Sequence, residues 1–133
     1  MKNVNITAAR PTSPHIQIYS WPITMAMSIA HRITGVALYA GTILLAAWLI
    51  ALAYNAQAFN IISSFSQNII VRIFLFLYSL ALVHHTVGGI RHLIWDVKPN
   101  LLEKHLATKT ATATIYISII VTIFIWLMGY LSH

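Results

Sequence analysis

Within the run Val83-His84-His85-Thr86-Val87-Gly88-Gly89-Ile90-Arg91-His92-Leu93-Ile94-Trp95-Asp96, histidines and an arginine stand inside and at the end of an apolar stretch. Groups of this kind need a reason to be there. On a helix, His85, Gly89 and His92 fall at i, i+4 and i+7 and share one face, with Gly88 beside them. That face offers an imidazole and then bare backbone. A flat, bulky ligand can approach the glycines while a buried histidine coordinates it, and the Arg91/His92 pair can meet its charged edge. Haem suits the arrangement best, because its iron takes axial imidazole. A plainer role is also open: membrane histidines hydrogen-bond neighbouring helices, and glycines let such helices pack closely. Two adjacent histidines, two glycines and a terminal Arg-His favour the cofactor reading, since ionisable groups within a membrane span are functional by default.

A second cluster, Ser28-Ile29-Ala30-His31-Arg32-Ile33-Thr34-Gly35, opens another apolar run. Ser28 and Arg32 are i and i+4, and Ser28 and His31 are i and i+3, so all three lie close on the helix surface. A hydroxyl and a guanidinium side by side at membrane depth can hydrogen-bond a carbonyl or a carboxylate. The alternative is that Arg32 snorkels to lipid phosphate and Ser28 bonds its own helix backbone.

The elements that must position these clusters follow from composition. Of the 133 residues, 59% are hydrophobic and only 8% charged. A soluble domain of this length would need far more charge on its surface, so the chain reads as an all-α integral membrane protein with no separate soluble domain. It reads as one unit over residues 1–133, with three transmembrane helices at about 22–54, 69–90 and 110–130. The net charge of +6, from eight Lys+Arg against two Asp+Glu, is scattered and reads as topology rather than nucleic-acid binding. No cysteine is present, which excludes disulfides, thiolate-bound iron–sulfur clusters and covalent c-type haem within this chain. Any metal must use histidine.

The first twenty residues are polar, and Arg10-Pro11-Thr12-Ser13-Pro14-His15 suggests an extended stretch along the membrane surface or a partner. Neither a transit peptide nor a secretory signal is expected there. Tyr19 and Trp21 fit an interfacial anchor, with Pro22 in a first helical turn. Residues 55–68 read as a polar, uncharged loop. Lys and Arg concentrate in the N-terminal segment and between the second and third spans, so the N-terminus is expected inside and the C-terminus outside. The first span then begins at the inner face and the second ends there. Ser28, His31 and Arg32 thus lie at about the depth of Arg91 and His92, with His85 about 10 Å deeper at 1.5 Å per residue. The third span holds no ionisable side chain except tyrosine and reads as packing and lipid contact.

Taken together, Arg10-Pro11-x-Ser13-Pro14-His15-x-x-x-Tyr19, Ser28-Ile29-x-His31-Arg32-x-Thr34-Gly35 and His85-x-x-x-Gly89-x-Arg91-His92-x-x-x-Asp96 resemble the cytochrome b556 membrane-anchor subunits of succinate dehydrogenase, respiratory complex II. The likeness runs through three motifs in order and covers nearly the whole chain. It implies a second hydrophobic anchor subunit, with one b-type haem held between the two and one axial histidine from each. Here the axial ligand would be His85, with His31, Arg32 and His92 near the haem propionates. Ser28 and Arg32 would help bind ubiquinone beside the iron–sulfur subunit. Succinate oxidation would belong to partner subunits carrying FAD and iron–sulfur clusters, and this chain would sit in a bacterial inner membrane in preference to a mitochondrial one. His84, beside the inferred ligand, points about 100° away on the helix, and the motif spacing selects His85. The alternatives are the same architecture serving as a quinol:fumarate reductase anchor or with menaquinone, and a non-redox membrane packing or assembly protein.

Overall fold

The computed structural model describes residues 15, 19–54 and 56–132. The motif residues Arg10, Pro11, Ser13 and Pro14 lie outside the described residues. Among the described residues the fold is all-helical, as composition requires. It has α1 (Ile23–Tyr54), α2 (Ala56–Ser66), α3 (Ile69–Val97), a 3-10 turn (Pro99–Leu102) and α4 (Lys104–Leu131). By length and composition α1, α3 and α4 are each able to cross a membrane.

Polar residues set the boundaries. The Pro22 carbonyl accepts from the amides of Met25 and Ala26, starting α1. The Asn68 side chain accepts from the Ile70 amide at 2.8 Å and caps α3. Pro99 ends the α3 run, since the residue before a proline is driven out of the helical region. The Glu103 carboxylate then accepts from the His105 amide at 3.2 Å and opens α4.

Two stretches differ from the sequence expectation. Residues 55–68 are read as a loop from their polarity, yet they contain α2. The stretch has no glycine or proline, and Ala58, Ile62 and Phe65 repeat at i, i+4 and i+7, giving a narrow apolar face opposite Gln57, Asn60 and Ser64. Helix α3 also continues past Ile90 to Val97, and α4 starts at Lys104, ahead of its apolar run. Polar side chains at a helix end do not terminate it; the cap and the proline do.

The three long helices form a bundle in which α3 touches both α1 and α4. Buried positions on α4 are Ala107, Ala111, Thr114, Ser118 and Thr122, one stripe at helical spacing. The hydroxyls of Thr114, Ser118 and Thr122 each donate to a carbonyl four residues back, so the stripe is small and internally satisfied. Close approach to α3 follows. Trp126 Nε1 donates to Ser79 Oγ at 2.7 Å and ties α4 to α3.

Candidate functional site

Helices α1 and α3 run antiparallel, so rising positions on one meet falling positions on the other. His31 meets Gly88, Thr34 and Gly35 meet His85, and Leu38 and Gly41 meet Tyr78. The contact is reciprocal. A Cβ on Gly88 would lie 2.9 Å from His31 Nδ1, and one on Gly35 would lie 3.0 Å from His85 Cε1. Each helix thus offers a glycine notch to the other's imidazole. The two rings stack at 4.0 Å between centroids and 2° between planes. His92 meets His31 edge-on at 5.3 Å and also Trp95 at 5.1 Å. The two motifs meet, as opposed spans require, but His31 does not lie level with His92 and well above His85: it stacks on His85 and stands between the two.

One expectation changes. The glycine face of α3 is read from sequence as bare backbone open to a flat ligand, but Gly88 is buried beneath His31 of α1. Gly88 serves approach of an imidazole, whereas a Cβ on Gly89 would meet that ring only at an ordinary 3.9 Å.

The hydrogen bonds define that ring. His85 Nδ1 lies 3.1 Å from the carbonyl oxygen of His31 and 3.3 Å from Thr34 Oγ1. A carbonyl only accepts, so this network assigns the proton to Nδ1 and leaves the lone pair on Nε2. A histidine in this tautomer is set up to bind a metal through Nε2. His84, one residue earlier, is turned away from this pair, and its buried Nε2 has no hydrogen-bond partner.

Further polar atoms stand unpaired near the same end. Arg91 is buried, 7% exposed, and its Nε and Nη1 lack partners, while its guanidinium carbon lies 4.8 Å from the centroid of the Trp95 ring. His31 Nδ1 and Trp95 Nε1 are likewise buried and unpaired. A buried guanidinium without a counter-ion is costly, so this end of the bundle favours an anionic group from outside the chain. Ser28 is half-buried and Arg32 exposed; among the described residues neither side chain makes a hydrogen bond, and neither joins the imidazole cluster. The back-bonding alternative for Ser28 is not what the structure adopts.

An apolar groove of about 610 Å³ lies far along the bundle between α1, α2 and α3, lined by residues including Trp48, Phe59, Phe65 and Phe74. No imidazole or guanidinium lines it, so the groups able to do chemistry are elsewhere.

Residues 7–125 match the family model described as the succinate dehydrogenase/fumarate reductase transmembrane subunit. That match covers most of the chain. The chain belongs to this family. Among its relatives are the succinate dehydrogenase cytochrome b556 subunits of Rickettsia felis and Rickettsia bellii, each 38% identical over 117 residues, covering 88% of this chain and 90% of theirs. The human mitochondrial succinate dehydrogenase cytochrome b560 subunit is 42% identical over 101 residues, 74% of this chain and 60% of that one. As a transmembrane subunit of this family, the protein is a membrane component of an oxidoreductase complex, and its three long apolar helices suit that place. Sequence reasoning assigned no part to Thr34, Gly35 or Trp95. The signal for the first two was their position three and four residues after His31, on its own helix face.

Proposed function

We propose that this chain anchors a succinate:ubiquinone oxidoreductase in a bacterial inner membrane. Together with a second hydrophobic anchor subunit it holds one b-type haem, and it forms part of the ubiquinone site. His85 is the axial ligand; His31, Arg32 and His92 lie toward the haem propionates; Ser28 and Arg32 orient a quinone carbonyl. The observation carrying this reading is the His85 ring, whose Nδ1 is held by the His31 carbonyl at 3.1 Å so that Nε2 keeps its lone pair. The unpaired donors of Arg91 fit a group bearing carboxylates. When bound, the haem would supply a one-electron carrier, with His85 as the ligand this chain gives it. The chain's own contribution is to orient one ligand, to hold cationic donors near the acid groups, and to offer the free donors of Ser28 and Arg32 to a quinone. Electrons reach the site from flavin and iron–sulfur clusters in partner subunits. The N-terminus lies inside, which sets Ser28 and Arg32 near the face where those subunits dock. With eight Lys+Arg against two acids, and most of its basic residues at that face, the chain is suited to this orientation.

The test is an optical difference spectrum of the detergent-purified assembly, oxidised as isolated and then reduced with succinate. Wild type shows a succinate-reducible b-type signal, His85→Ala loses it, and His84→Ala keeps it. A haem-free wild type lacking dehydrogenase subunits would reduce the histidine–glycine contact to packing.

A further inference from the structure

The hydroxyl of Thr34 is the structure's second acceptor on the ring of His85. Thr34 Oγ1 lies 2.9 Å from both the Ala30 and the His31 carbonyl oxygens. Its one proton is directed to those carbonyls, which can only accept. It therefore faces His85 Nδ1, 3.3 Å away, with a lone pair. The Nδ1–H of His85 is shared between this hydroxyl and the His31 carbonyl at 3.1 Å. Both acceptors come from one turn of α1, and Gly35 in the same turn leaves the space in which the ring sits. A single turn thus fixes the ring's place, its tautomer and its electron density.

We infer that Thr34 is a positioning residue for the haem-ligating histidine: its hydroxyl accepts from His85 Nδ1–H and makes Nε2 a stronger donor to the iron. This rests on the proposal that His85 is the axial ligand. An acceptor behind a ligating imidazole raises its basicity, which stabilises the ferric over the ferrous state and tightens binding. Losing such an outer hydrogen bond weakens metal binding by about tenfold at the low end of measured cases. Nothing in this role requires Thr34 to touch quinone or iron. Its influence passes through the His85 ring alone.

Thr34→Val keeps the β-branched shape and removes the hydroxyl, Thr34→Ser keeps the hydroxyl, and Thr34→Ala removes it without added bulk. In the purified, assembled complex, three readouts are taken: the haem midpoint potential by optical redox titration, the low-spin ferric resonance by electron paramagnetic resonance, and haem release to apomyoglobin. Thr34→Val and Thr34→Ala should raise the potential, change the ferric resonance and release haem about tenfold faster, while Thr34→Ser stays at wild-type values. Wild-type potential and resonance in Thr34→Val or Thr34→Ala would overturn the inference. So would an equal shift in Thr34→Ser, which would mean shape matters and the hydroxyl does not. His85→Ala runs alongside: a b-type spectrum surviving in it overturns the ligand assignment itself, a failure distinct from silence of the Thr34 variants.

Discussion

His31 and His85 each fill the space that a missing side chain leaves on the opposite helix, so the two glycines are as specific as the two histidines. Gly88→Ala puts a methyl 2.9 Å from His31 Nδ1, and the ring has little room to withdraw because His85 stacks on it at 4.0 Å. Overpacking of this kind costs about 1–3 kcal/mol, more than the ~1 kcal/mol that alanine gains over glycine in a helix. Gly129 is the internal control, since a Cβ there meets nothing within 4 Å. Thermal unfolding of the purified assembly should therefore show a lower midpoint for Gly88→Ala and an unchanged or higher one for Gly129→Ala. Equal midpoints would mean that His31 yields freely and the notch is not tight. Arg91 poses the opposite problem at the same scale. Among the described residues it is a full charge buried without an acid beside it, held over the Trp95 ring, and its place in the bundle makes sense once an external anion is counted.

Helices α3 and α4 are joined by small residues and one directed bond, and the bond can be weighed separately from the packing. Trp126→Phe retains a ring against Phe76, whose centroid is 5.5 Å away, but loses the donation to Ser79 Oγ. A double-mutant cycle with Ser79→Ala should give a coupling of about 0.6 kcal/mol and at most ~1.7, the range found for hydrogen bonds between membrane helices. A coupling near zero would assign the contact to shape alone. The long helices were legible in the sequence because an unbroken apolar run of that length has few other fates. Helix α2 was not, because polarity without charge suggests a loop, although Ala58, Ile62 and Phe65 already carried the helical repeat. The two motifs could be brought level from chain direction and helix rise. Which side chain of α3 meets which residue of α1 was not legible, since helices apolar all round carry little signal about their rotation. For that reason the sequence presented Gly88 as open to a ligand, whereas the folded chain presents it to His31.

At the scale of the whole molecule, the distribution of charge proposes an orientation that the bundle's geometry makes consequential. Lys98, Lys104 and Lys109 flank the connection between α3 and α4, while residues 55–68 carry no charge at all. Arg72, just inside α3, reaches back so that its Nε donates to the Ser66 carbonyl at 3.4 Å, a snorkelling position at the opposite surface. In the proposed orientation the α3–α4 connection lies in the cytoplasm and α2 on the outer face, as the positive-inside rule favours. His31, His92 and Arg91 lie near the helix ends on the charged side, where electrons from a soluble partner would arrive. A chain with no cysteine is ready for labelling. Asn60→Cys on α2 and Asn100→Cys in the 3-10 turn replace exposed residues without altering charge. In intact cells a membrane-impermeant maleimide should label Asn60→Cys, and Asn100→Cys should react only after the cells are opened. The reverse pattern would turn the histidine cluster toward the outer face, away from any cytoplasmic dehydrogenase, and would break the link between Arg32 and the inner quinone site. Labelling of both in intact cells would mean that the chain inserts in two orientations and that its lysines do not fix one of them.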